Sequence, residues 1–399
     1  MFYYSAFILD FITLVLQIFL CWSIASNLQA KFLPTKSWPE QITYNYFLFF
    51  AYIILSLTVL GALGLLTLKY SIVLNLTAFA LALKYCPKPP KLTFKADYKR
   101  LIFYLPLVLL LSILFVIASQ QAVIEADSLT YHMPYIIKWL QEGSLWHPYY
   151  TAYVGVIGYY PGNYELLSLF TILPFNQDLF VNLINFSLYL PLGLCLYIIF
   201  RQLKVPEKTA QVLPALLLYT PLLVRQGPIP QNDLFYLLVL AFAFLFFIKK
   251  HWLAFAIALG LFLGTKANAI VYSALVFLPA CYYIKDYKKI LKVSALIILF
   301  GGFWYIRNWI LTGNPLFPMH LETGGLTIFQ GYQSAQESLK ASAVFPQHIT
   351  DLNLYKSLAI NFFHSTGLII LSTVTAIIFT FFKHRRFVSI SFCRILFFR

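Results

Sequence analysis

Long apolar stretches separated by short polar punctuation organise this chain. Apolar runs fall at about 5–25, 46–66, 70–84, 101–118, 179–200, 209–224, 233–249, 252–265, 268–284, 290–311 and 356–382. Most are near the ~20 residues that a helix needs to cross a hydrocarbon core. They are continuously apolar and do not alternate with period two, which argues against a transmembrane barrel. The pattern therefore predicts an all-α membrane protein, a polytopic helical bundle of about 11 transmembrane helices. One stretch, NYELLSLFTILPF at 163–175, is short for a crossing and would upset the alternation of sides, so it reads as an interfacial or re-entrant helix. The N-terminus MFYYSAFILD has neither a basic region nor a small-residue cleavage site, which predicts an uncleaved first helix.

Composition sharpens this picture. Of 399 residues 60% are hydrophobic and 11% charged, and the mean hydropathy is +0.76. A soluble domain carries about a quarter of its residues as charges, so most of this surface faces hydrocarbon. The net charge of +15 does not point to nucleic acid, because the basic residues cluster between apolar runs. Lys84, Lys88, Lys91, Lys95, Lys99 and Arg100 surround CPKPPKLTF; Arg201, Lys204, Lys208, Lys249 and Lys250 follow the fifth and seventh runs. Lys285, Lys288, Lys289 and Lys292 follow the ninth, and Lys383, Arg385 and Arg386 the last. Placing these clusters in the cytoplasm gives one consistent alternation. The acids Glu125, Asp127, Glu142, Glu165, Asp233, Glu322, Glu337 and Asp351 then fall on the opposite, outer side. Five scattered cysteines without a CxxC spacing frame neither a zinc site nor a disulfide scaffold.

Ionisable groups at the membrane edge are the candidate chemistry, since a charge at bilayer depth is costly unless it serves a wet or protein-lined cavity. Glu125 and Asp127 follow the fourth run in QQAVIEADSLTYHMP. Arg225 and Asp233 flank the turn RQGPIPQND, Lys266 sits in GTKAN, and Arg307 lies in WYIRNWILTGNPLFP. Carboxylates can take a proton from a hydroxyl nucleophile, and Arg and Lys bind phosphate oxygens and stabilise a phosphate leaving group. Together they suit group transfer from a lipid-linked phosphate donor. Blander readings exist for each residue: a solvated loop acid for Asp127, snorkelling for Lys266 and Arg225, an N-cap for Asp233. None of them accounts for the whole set on one face.

His132 lies near two acids and could join Glu125 and Asp127 around a divalent metal, although a plain hydrogen-bonding histidine beside Tyr131 is the commoner arrangement. No metal or other cofactor is therefore expected. The aromatic run HPYYTAYVGVIGYYPGN could stack on sugar rings or form an interfacial tyrosine belt.

These motifs carry a resemblance. EADSLTYHMPYIIKWLQEGSLWHP resembles the first outer loop of the GT-C glycosyltransferases, especially bacterial relatives of the dolichyl-phosphate-mannose protein mannosyltransferases and the aminoarabinose lipid A transferases. Asp127, Tyr131, His132, Trp139 and Gly143 match that outline, and YYPGNYELL, QNDLFY, LGTKAN and RNWILTGNPLFP look like later family signatures in the usual order. The similarity spans about residues 100–320.

The resemblance implies a membrane glycosyltransferase with an inverting transfer from a polyprenyl-phosphate-linked sugar donor to a lipid, glycan or protein acceptor on the periplasmic side of the inner membrane. Asp127 would be the base, with Glu125 as its alternative and Asp233 as a secondary acid. Arg307, Lys266 and Arg225 would meet the donor phosphate, and Tyr131, His132 and Tyr160 the acceptor or sugar. Two departures stand out: the family reaches its catalytic loop after its first helix, whereas here three further apolar runs (1–84) come earlier, and the adjacent Asp-Glu pair is replaced by Asp127-Ser128. The chain stops at FVSISFCRILFFR, where many relatives continue, and so reads as a short or truncated member. The expected organisation is N-terminal helices with a basic loop (1–100), a catalytic region (101–382) and a basic tail (383–399). A secondary transporter or lipid flippase, a non-enzymatic assembly scaffold and an O-antigen ligase are the competing readings. A transporter would show internal repeats and broken helices with midplane acids, and neither is evident in the sequence.

Overall fold

A computed structural model describes residues 2–35, 37–89, 98–149, 156–323 and 325–334. The last apolar run 356–382, the basic tail 383–399, Lys91, Lys95, Glu337 and Asp351 lie outside the described residues. In chain order the helices are α1 (Phe2–Phe32), α2 (Trp38–Ala62), α3 (Leu68–Tyr85), α4 (Tyr98–Gln120) and α5 (Met133–Glu142). They continue with α6 (Asn163–Ile172), α7 (Asn182–Gln202), α8 (Glu207–Leu218), α9 (Pro221–Gln226) and α10 (Asp233–Ile248). The series closes with α11 (Trp252–Leu263), α12 (Ala269–Ile284), α13 (Tyr287–Gly301) and α14 (Phe303–Thr312).

Three helical stretches are long and apolar enough to cross a bilayer: Ser5–Phe32, Trp38–Ala62 and Asn182–Gln202. A fourth exists if the bent pair α13 and α14 counts as one span. Leu9, Phe19, Val73, Val271 and Leu278 project outward, at 54–66% exposure, from α1, α3 and α12. A soluble surface would not tolerate such a belt, whereas lipid accepts it. The chain is thus a helical membrane protein. Its core runs between α2, α6, α7, α10 and α11, where Phe47, Leu188, Phe235, Leu238, Phe255 and Leu259 are wholly enclosed.

The structure departs from the sequence expectations in three places. The run at 209–224 is two helices, because Pro221 ends α8 and opens α9. The run at 290–311 is broken between α13 and α14 by 69° at Gly302, so broken helices are present where none was expected. A small sheet follows α14 where an all-α fold was expected: β1 (Met319–Thr323) pairs antiparallel with β2 (Leu326–Phe329) and parallel with β3 (Gln333–Ser334). Gly325, at φ +79°, makes the turn there.

Helix ends fix which residues share a face. α10 begins at Asp233 and ends beside Lys249, whose Nζ donates to Glu40 at the start of α2 (2.6 Å). Lys204, Lys250 and Lys285 follow the ends of α7, α10 and α12 in the left-handed region, where their charge meets the negative end of the helix dipole. The acids and cations singled out above lie at the other end of α10 and α11.

Candidate functional site

The site starts from a cap. The chain turns helical at Ala126, and the Glu125 carboxylate accepts from the backbone N–H groups of Asp127 (2.8 Å) and Ser128 (3.4 Å) and from Gln231 Nε2 (2.6 Å). Glu125 is therefore committed to starting the helix and to holding the loop before α10. The helix opens as a wide π-helical turn, Ser128–His132, before tightening into α5. Such turns often mark functional sites. Asp127 is exposed, and its carboxylate makes no hydrogen bond or ion pair among the described residues. Tyr131, half-buried on the same turn, has its hydroxyl pKa raised by burial first and then by Asp127, Glu165, Asp233 and Glu125. Four acids thus converge electrostatically on one phenol.

The second wall is the loop GPIPQN at 227–232, between α9 and α10. It has no regular backbone pairing, and Asn185 on α7 supplies the compensation. Its Nδ2 donates to the carbonyls of Gln226 (3.1 Å), Ile229 (2.6 Å) and Gln231 (2.8 Å). Gln226 Nε2 reaches Asp233 (3.4 Å), and Lys266 Nζ donates to the other Asp233 oxygen. Asp233 and Lys266 remain 49% and 33% exposed, so both face open space while paired. Arg225 ends α9 next to Gln226 and is exposed, with no ion pair among the described residues. Asp127, Asp233, Lys266 and Arg225 therefore line one accessible end of the bundle.

Behind Tyr131 lies a feature the sequence reading did not assign. His132 Nδ1 sits 2.5 Å from Glu165 Oε1, and both side chains are 2% exposed. The Tyr131 ring packs on the His132 ring at 4.1 Å. Glu165 belongs to α6, the short helix expected to be interfacial or re-entrant, and every residue from Asn163 to Phe170 is buried. Asn163 anchors its start: Nδ2 donates to the carbonyls of Leu261 (3.2 Å) and Phe300 (3.0 Å), and Oδ1 accepts from Trp304 Nε1 (2.8 Å). A side chain at Gly162 would overlap Trp139 and crowd Trp304, so glycine lets the start of α6 abut those two indoles, which stack on each other at 5.3 Å. An acid within an otherwise apolar helix, two residues after Asn163, was the available signal for Glu165.

Arg307 takes a different place from Lys266 and Arg225. It is wholly enclosed, and its guanidinium donates to the carbonyls of Leu145 (3.3 Å) and Gly158 (3.0 Å) and to Asn308 Oδ1 (3.3–3.4 Å). It also lies over the Trp304 ring at 5.0 Å. It thereby holds the carbonyls of Leu145 and Gly158. Tyr160, half-buried two residues past Gly158, has its hydroxyl pKa raised by burial.

Among the described residues, no three His, Cys, Asp or Glu side chains converge as a metal site requires. The arrangement considered for His132 with Glu125 and Asp127 does not form, because His132 turns to Glu165 and Glu125 to the helix start. Comparison with protein-family models, curated proteins and solved structures finds no match.

Proposed function

We propose that this chain is a GT-C-like membrane glycosyltransferase that moves a sugar from a polyprenyl-phosphate donor to an extracytoplasmic acceptor. The observation that carries the reading is the free, exposed carboxylate of Asp127 at the same end of the bundle as the half-buried Lys266 and the exposed Arg225. In this reading Asp127 accepts the proton of the acceptor hydroxyl as its oxygen attacks the anomeric carbon. The bond from that carbon to the phosphate oxygen breaks, configuration inverts, and the phosphate leaves with the electron pair. Lys266 and Arg225 receive that charge. Asp233 holds Lys266 in place, and Tyr131 with Tyr160 offers aromatic faces to the sugar. His132 and Glu165 brace the turn that presents Asp127. Arg307, enclosed against the carbonyls of Leu145 and Gly158, does not meet the phosphate. Eleven spans, with the basic clusters in the cytoplasm and the site outside the inner membrane, complete the proposal.

Transfer of radiolabelled sugar from polyprenyl-phosphate donors into membranes expressing wild type or Asp127→Asn tests it. Asn keeps the shape and removes the base, so label transfer by wild type and its loss in the variant at equal expression is the expected result. Equal transfer in both would move the base to Glu125 or Asp233. No transfer from any donor by folded protein would sink the enzyme reading.

One observation favours the second reading, a transporter or flippase: the α13–α14 break, since discontinuous helices build transport sites. Donor-independent movement of fluorescent lipid-phosphate across reconstituted vesicles, abolished by straightening the break with Gly302→Ala, would support it.

A further inference from the structure

At the opposite end of α10 and α11 from Asp233 and Lys266, the helices α1, α2, α11 and α13 part to leave a groove of about 670 Å³. That volume falls within the roughly 300–1,000 Å³ of ligand-binding clefts. Its walls are almost entirely apolar, with Leu28, Phe47, Ala51, Ile257 and Leu296 among them. Its mouth is the opposite. Lys250, Lys289 and Lys292 line it, all three are exposed, and none of their ammonium groups has a carboxylate partner among the described residues. Two acids at this end of the bundle are already engaged: Glu40 takes Lys249 and the Thr35 hydroxyl, and Asp286 caps α13 through the N–H groups of Lys288 and Lys289. His251, at the same rim, is pushed below the usual histidine pKa by burial and then by Lys249, with Glu40 opposing. Lys250 also holds φ +57°, a left-handed conformation unusual for a residue with a side chain.

We propose that this groove binds one anionic phospholipid, with an acyl chain in the apolar slot and the phosphate on Lys250, Lys289 and Lys292. An apolar slot alone would accept any hydrocarbon, and a lysine cluster alone any anion. Joined at one mouth, they select an amphiphile that carries both. Basic pockets between transmembrane helices recognise anionic headgroups in this way. The site is independent of the transfer chemistry at the far end of α10.

The protein, reconstituted in vesicles of equal parts phosphatidylglycerol and phosphatidylethanolamine and re-extracted in mild detergent, is weighed intact by native mass spectrometry. The expected result is one retained phosphatidylglycerol, enriched roughly tenfold or more over phosphatidylethanolamine, since each lysine near an anionic group favours it several-fold. Lys250→Gln with Lys289→Gln and Lys292→Gln removes the preference. Ala51→Trp fills the slot, leaves the lysines intact, and also removes the retained lipid. Thermal unfolding confirms that each variant is folded. A photo-crosslinking residue at Ala51 identifies the occupant directly, and an adduct with lipid is expected. An adduct with residues 356–382 of this chain would overturn the proposal. Equal retention of the two lipids, or retention insensitive to both variants, would overturn it as well.

Discussion

His132 and Glu165 form a deeply enclosed side-chain contact between α5's leading turn and α6: Nδ1 to Oε1 is 2.5 Å, with 2% of either side chain exposed. The second Glu165 oxygen has no partner and is equally enclosed. Breaking such a pair by truncating one member leaves the other desolvated and unpaired, which costs about 3 kcal/mol. His132→Ala is therefore expected to lower the unfolding temperature in detergent sharply. Glu165→Gln, which can still hydrogen-bond the imidazole, should cost about 1 kcal/mol. Equal, small effects from the two variants would show that the contact does not hold α6 in place.

Arg307 supports a prediction that separates a brace from a phosphate binder. Its guanidinium spans the Leu145 and Gly158 carbonyls while lying over Trp304. A lysine keeps the charge but cannot reproduce that flat, forked geometry. Arg307→Lys should lose roughly 2 kcal/mol or more of stability, as hydrogen bonds to a charged group each contribute about 1.5–3 kcal/mol. Added polyprenyl phosphate should not restore the loss. Restoration by the phosphate would return Arg307 to the donor site.

The helical, membrane-bound character of the chain was legible because long apolar runs admit few other structures, and α1, α2 and α7 lie where hydropathy placed them. The clustering of Asp233 with Lys266 was also foreseeable, since both sit at ends of adjoining helices that face the same way. What hydropathy could not reveal is how irregular backbone is satisfied. Asn163, Asn185, Asn308 and Asn314 each donate to two or three backbone carbonyls, a role that depends on tertiary partners and leaves no periodic trace. The burial of Arg307 was hidden for the same reason, because its acceptors lie about 150 residues earlier in the chain. The α13–α14 bend arises at Gly302, inside a run that reads as continuous.

Asp233 and Lys266 face open space, so their attraction is screened and contributes little to folding. Asp233→Asn and Lys266→Met should each change stability by less than about 1 kcal/mol, with a coupling of the same order in the double variant. Their effect belongs to the site. If the proposed chemistry holds, Lys266→Met reduces sugar transfer strongly while the unfolding temperature barely moves. A large coupling in stability would instead make the pair a structural strut.

Helices α11 and α13 approach closely at two glycines. A side chain at Gly301 would overlap the Gly260 carbonyl, a backbone atom that cannot rotate away. Gly301→Ala should therefore cost about 1–3 kcal/mol or more, with the damage reaching Asn163, which bonds the neighbouring Phe300 carbonyl at 3.0 Å. Measured thermal unfolding close to wild type would show that the helices separate freely there.

Alkaline titration tests the electrostatics around Tyr131. Burial and four facing acids raise its pKa above the ordinary value, and burial with Glu165 does the same for Tyr135. A free tyrosine ionises near pH 10. Below that pH both phenols are protonated in the folded and unfolded chains, so they contribute no pH dependence. Above it the unfolded chain releases these protons first and binds fewer than the folded one, so stability falls as pH rises. The fall continues until the folded-state values are passed. Each proton held only by the folded state steepens it by about 1.4 kcal/mol per pH unit. Tyr131→Phe should flatten this alkaline slope by about one proton's worth, and ultraviolet difference spectra should show one late-ionising phenol fewer. An unchanged slope in the variant would mean that Tyr131 ionises as freely as a solvated tyrosine, and that the four acids do not converge on it.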